Sequence, residues 1–203
     1  MMTQHKERDK SKKRAAIISG AEDIFISMGY KQASMDKIAE KAGISKKTVY
    51  NHFQSKENLF EVIVGGLLEQ QQNMKSITYD SNKSLEEQLV VFAGSEISLI
   101  DSPKKIELSR FLTLTFLNDL EFQRRIVSKY PPVHGTLVNW LKDAKEDNRI
   151  KTDNLFIAAR VFYALVIGAI TWPVLFTERL DKESTKPMLN EIIAVFLARY
   201  ANI

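Results

Sequence analysis

Cysteine is absent from the 203 residues, which excludes a disulfide scaffold, a thiol nucleophile and any Cys-ligated zinc or iron–sulfur site. Histidine is almost absent, with His5, His52 and His134 the three in the chain. No His-x-x-x-His pair, Gly-rich phosphate loop or paired-carboxylate signature accompanies them. The chain is therefore expected to be no enzyme and to carry no metal and no cofactor. Eight Gly and five Pro are too few for an all-β chain with a turn every ten residues or so. A long apolar run is missing too. The 16 residues from Val161 to Phe176 hold no charge, but a membrane span needs about 20, and Arg160 and Glu178 close the run. The first 14 residues are polar and lead into no apolar signal core. A soluble, cytoplasmic protein with no membrane partner is expected.

What is present is ordinary in amount and uneven in placement. Apolar residues make up 44% and charged residues 27%, as in a soluble globular protein. The first 56 residues carry 12 Lys/Arg against 6 Asp/Glu, whereas the remainder carries 17 against 19. A basic first quarter on a slightly acidic remainder suits a polyanion-binding module joined to a part that binds none. A solvated surface would give the same excess, so the arrangement has to decide.

Lys10 to Met28 has helical periodicity, with Ile17, Ala21, Ile24, Phe25 and Met28 along one face. Gly29 follows as a left-handed cap. Ser34 caps a short helix from Met35 to Ala42, which Gly43 ends. Ser45 caps a third helix, from Lys46 to His52 or Phe53, and Ser55 a fourth that begins at Lys56. Helices of this size, the last pair joined by a short Gly turn, form a helix-turn-helix unit; an ordinary helical hairpin is the plainer possibility. On the third helix Val49 and Phe53 face inward, which turns Lys47 and Asn51 outward and puts Thr48 and Tyr50 on the flanks. No acidic residue lies between Glu40 and Glu57. Long donors outside and hydroxyls beside them suit a helix in a DNA major groove, with Lys47 and Asn51 as base readers. The basic segment 1–14 is read as a disordered arm that either tracks phosphates or is a solvated tail.

Ala21, Phe25, Gly29-Tyr30, Ile38-Ala39, Ala42 to Lys46, Thr48 to Tyr50, His52-Phe53 and Ser55 to Phe60 closely resemble the DNA-binding domain of the tetracycline-repressor (TetR) family. The match runs over residues 10–60 without a gap. The resemblance implies a homodimeric transcription factor, usually a repressor released by a small ligand. It also implies DNA contacts at the positions of Thr48, Tyr50, His52 and Lys56. Ser34, Ser45 and Lys46 join these as candidates, with the two serines helix caps first. Lys47 departs from the small residue usual in the family and adds either a specific contact or general affinity.

From Lys56 onward the pattern is helical, with helices expected at 56–76, 84–101, 103–117, 119–130, 132–148, 153–177 and 184–202. The expected fold class is all-α: an N-terminal three-helix helix-turn-helix domain over 10–56 and a helical effector-binding and dimerisation domain over 57–203. The helix at 153–177 is apolar all round, so it is either wrapped in its own core or shared with a second subunit. Phe162, Leu165, Ala169, Ile192 and Phe196 are the candidate interface residues. Phe92, Glu96, Arg110, Phe111, Phe116, Trp140 and Trp172 are the candidate lining of an effector pocket, apolar with a few polar anchors. A two-fold dimer calls for double-stranded DNA with an inverted repeat, and the helix from Lys56 is the expected lever. The competing reading is a helical ligand- or partner-binding protein that no longer binds DNA.

Overall fold

The computed structural model describes residues 2–73, 77–129, 134–177 and 181–202, and the side chains within them except those of 2–6, 69–73, 134 and 182. The expected break at Pro131-Pro132 lies outside the described residues. The helices are α1 (Met2–Gln32), α2 (Met35–Ala42), α3 (Lys46–His52), α4 (Lys56–Asn73), α5 (Leu85–Ile97), α6 (Pro103–Asn118), α7 (Leu120–Lys129), α8 (His134–Glu146), α9 (Leu155–Val166), α10 (Trp172–Thr177) and α11 (Lys182–Tyr200). A 3-10 turn, Ser98–Ile100, follows α5, and a π turn, Ile167–Thr171, joins α9 to α10. The described residues contain one isolated β-bridge, Ile150 to Ala201, and no β-strand. The chain is all-α.

Two compact units divide it: Met1–Leu67 with Arg110–Ile126, and Leu68–Ser109 with Val127–Ile203. In the first unit Ile17, Ala21, Phe25, Ile38, Val49, Phe53, Leu59 and Phe60 are all at most 1% exposed and form the core. Phe60 lies at the centre of an aromatic cluster, edge-on to Phe25 at 5.3 Å and to Phe111 at 5.7 Å, and stacked on Phe122 at 4.8 Å. Phe111 also lies parallel to Phe25 at 6.1 Å. Gly20 permits the tight crossing of α1 and α2, because a Cβ there would come within 3.1 Å of the Ala42 Cβ.

The second unit has its own core, in which Leu89, Phe92, Leu137, Trp140, Phe162, Ile193 and Phe196 are buried. Its polar ties are local. The Trp140 indole donates to Gln88 Oε1 at 3.0 Å. Arg149 holds the loop before α5 through the Ser81 and Lys83 carbonyls, at 3.2 and 2.9 Å.

Three sequence expectations change. The first helix starts at Met2 and not at Lys10, since the arm holds no Gly or Pro and an Asp9–Lys13 ion pair of 2.7 Å supports it. Gly29 does take a positive φ of 76°, but its ψ of 161° is extended, a kink in place of a left-handed cap. The expected single helix at 153–177 contains the π turn. Pro173 has no N–H and its ring crowds the preceding turn; a widened turn accommodates it.

Candidate nucleic-acid interface

Local chemistry fixes α2 and α3. The Ser34 hydroxyl accepts from Lys37 N at 3.3 Å, and the Ser45 hydroxyl from Thr48 N at 3.3 Å. Between the helices Gly43 adopts φ 65° and ψ 30° and donates back to Ala39 and Glu40, a left-handed turn that costs a side-chain-bearing residue about 1–2 kcal/mol. Val49 is fully buried and Phe53 nearly so, which pins one face of α3 to the core. Tyr50 stands 50% exposed, and Lys47 and Asn51 are exposed beside it. Thr48 is half-buried, its hydroxyl 2.9 Å from that of Ser45.

The cations of this stretch divide by what holds them. Lys41 pairs with Asp23 at 3.7 Å, and Lys46 with Asp36 at 2.6 Å. Both pairs are exposed, and such pairs contribute no more than about 1 kcal/mol, so a phosphate can displace the carboxylate. Lys56 differs. Its ammonium donates to the Tyr30 carbonyl at 2.8 Å and the Ala33 carbonyl at 3.0 Å, and lies 4.4 Å from the centre of the Tyr30 ring. It closes the carbonyl end of the α1 segment. The Tyr30 hydroxyl meanwhile donates to Glu57 Oε1 at 3.0 Å. Burial, then Glu57, pushes the Tyr30 phenol well above its ordinary range, while the Glu57 carboxylate is held low by its own backbone N–H and by the Ser55 hydroxyl. Tyr30, Lys56 and Glu57 thus lock the start of α4 to the end of α1, a brace that spacing does not reveal.

His52, half-buried at the end of α3, has its pKa pushed below 6.5, first by burial and then by Lys10, Arg14 and Lys13 of α1. The Arg14 guanidinium lies 5.2 Å from the centre of the Phe53 ring. The sequence did hold a signal for this neighbourhood: Arg14 continues the stripe of Ile17, Ala21 and Phe25 one turn beyond the core.

The candidate effector residues fall in both units. Phe92, Glu96 and Trp140 are buried in the second unit, with Phe92 edge-on to Trp140 at 5.8 Å. Arg110, Phe111 and Phe116 belong to the first unit, where Phe111 packs on Phe25 and Phe116 lies 5.8 Å from Phe122. Trp172 is 42% exposed and stacks on Phe176 at 5.7 Å. Cavities of about 450, 380 and 210 Å³ in the second unit are lined by other residues, the largest by Glu86, Val90, Asn190, Ile193 and Leu197 among others. Among the candidate interface residues, Phe162, Ile192 and Phe196 are buried inside their own subunit, and Leu165 and Ala169 half-buried. Aromatic contact explains Phe162 and Phe196, whose rings meet edge-on at 5.2 Å. The exposed stripe of these helices is instead Ile157, Val161, Ala164, Gly168, Trp172 and Phe176. The run Leu155–Thr177 has a mean hydropathy of 1.9 in its most apolar window, of which a third is buried. Ala158, Ala159, Phe162, Tyr163, Val166 and Ile170 make it a core helix.

The family model for bacterial regulatory proteins of the tetR family matches residues 17–63, and that for the C-terminal domain of AefR-like transcriptional repressors matches 87–202. The HTH-type transcriptional regulator YvkB of Bacillus subtilis (strain 168) is 26% identical over 184 residues, which cover 89% of this chain and 93% of that protein. A TetR family transcriptional regulator from Pseudomonas syringae pv. tomato DC3000 superposes with a TM-score of 0.74 at 26% identity, over 93% of this chain and 96% of that one. The flavonoid-responsive regulator FrrA gives 0.70 at 25% identity, over 94% and 98%. With a capped recognition helix and both halves matched, the chain belongs to the tetR family and is a helix-turn-helix transcriptional regulator.

Proposed function

We propose that this regulator is a homodimeric, cytoplasmic repressor that holds an inverted-repeat operator through two copies of α3 and releases it when a small molecule binds the second unit. One observation carries the operator reading: α3 is pinned by Val49 and Phe53 while Lys47, Tyr50 and Asn51 stand exposed on a helix that holds no acidic residue. Lys47 and Asn51 donate to base edges, and Thr48, Tyr50 and Lys46 hold the flanking phosphates. Ser34 and Ser45 serve as caps, and Lys56 as a brace.

The second copy covers the exposed apolar stripe on α9 and α10, where Phe176 is 77% and Ile157 54% exposed, together with Met188 and Val195 of α11. Apolar surface of that extent on a soluble chain marks an interaction site. An effector is supported by the flavonoid response in FrrA's name, and Glu96, buried in the second unit, is its candidate polar anchor.

Selection of bound sequences from a random DNA pool, with sedimentation of the complex, tests the proposal. Recovery of an inverted repeat bound by a dimer is the expected result. Failure to enrich any sequence at low salt would support the reading as a partner-binding protein. For the effector, flavonoid addition should raise the melting temperature of the wild type, and Glu96→Gln should change that shift.

A further inference from the structure

We propose that Lys10, Lys13 and Arg14 of α1 form with His52 of α3 a single clamp on one DNA backbone phosphate, and that His52 takes up a proton when the clamp closes. The inference rests on the reading of α3 as the operator helix. Lys10, Lys13 and Arg14 occupy positions i, i+3 and i+4 on the helical N-terminal part of α1, beyond the point where the stripe leaves the core at Ile17. Arg14 is anchored over Phe53, the residue after His52. The His52 ring, at the carbonyl end of α3, lies 6.4 Å from that same Phe53 ring, and after burial Lys10, Arg14 and Lys13 lower its pKa. Asp9 pairs with Lys13 at 2.7 Å, and Glu7 precedes Lys10 by one helical turn.

The charge balance gives the direction. In the free protein burial, and after it the three cations, hold the pKa of His52 below its ordinary value. A phosphodiester placed among them supplies the missing negative charge and an acceptor for the imidazolium N–H, which raises the pKa of His52. The proton comes from solvent, so the operator complex strengthens as pH falls, by up to about tenfold per pH unit for each proton taken up. The helical form of residues 2–14 matters here, because a flexible tail would not hold the cations against His52.

Operator affinity measured from pH 8 to pH 6 and against salt, for the duplex recovered by selection, tests the clamp. Wild type should bind tighter at pH 6 than at pH 8, and His52→Gln should lose that pH dependence whatever its affinity at pH 8. Lys10→Gln with Lys13→Gln, which leaves Arg14 on Phe53, should lower the slope of log K against log salt, where one neutralised phosphate counts for about 0.9. NMR titration of the His52 imidazole, free and on the duplex, should give the higher pKa on DNA. Equal pH dependence in wild type and His52→Gln, or an unchanged His52 pKa on DNA, would overturn the clamp and leave α3 reading intact. No binding of any duplex by wild type would overturn both.

Discussion

Replacing Lys56 with Met separates two roles that one lysine could have. In the structure its ammonium donates to the carbonyls of Tyr30 and Ala33 at 2.8 and 3.0 Å and rests over the Tyr30 ring. A hydrogen bond to a charged group contributes about 1.5–3 kcal/mol net, and the site is half-buried, so the low end applies to each bond. An exposed cation–π contact adds about 0.5 kcal/mol. Met keeps much of the apolar stem, and the expected loss is about 2–4 kcal/mol, the two freed carbonyls being reachable by water. For a chain of this size each kcal/mol shifts Tm by about 2–4 °C, which puts the variant about 4–16 °C below wild type. The assay is paired: thermal unfolding, and operator affinity as a function of salt. A brace lowers Tm and leaves the salt slope of the residual binding unchanged. A phosphate contact leaves Tm alone and lowers the slope by about 0.9 per subunit. An unchanged Tm with a reduced slope would refute the brace.

Gly43→Ala should destabilise the first unit by about 1 kcal/mol, because φ 65° is strained for alanine; urea unfolding measures it. Phe60→Ala removes the centre of the aromatic cluster and should cost about 3–5 kcal/mol in the same assay. Phe176→Asp with Val195→Arg should split the dimer in sedimentation while circular dichroism stays helical, whereas Phe162→Ala should weaken the subunit itself. Burial first, then carboxylates, raise the pKa of Tyr30 and Tyr163 above 10 in the folded chain. The unfolded chain therefore loses phenolic protons first. Stability is held below pH 10 and falls as pH rises beyond it. Absorbance titration at high pH should show the two phenols ionising late, and Tyr30→Phe should flatten the alkaline loss.

Legibility differed from residue to residue for physical reasons. Ser34, Gly43 and Ser45 act on backbone groups three or four residues away, so reading along the chain is enough to place α2 and α3. Val49 and Phe53 orient α3 through periodicity alone. Periodicity stops informing where a helix is apolar all round: nothing local distinguishes Phe162, which faces its own core, from Val161, which faces out. Aromatic residues on middle helices likewise suit a pocket and a core equally, and Phe111 and Phe116 turned out to pack with the first unit.

Caps, spacing and charge runs are short-range properties of the chain, and they were enough for the helix-turn-helix, its outward donors, the all-α class and the family. The packing of distant segments settled what Lys56 touches, which stripe of α9 to α11 stays exposed, and which cations act on His52. Each of these depends on segments far apart in sequence coming within a few ångströms, as Lys56 and Tyr30 do across 26 positions. A local pattern states what a side chain can do, and the approach of distant segments selects which of those things it does.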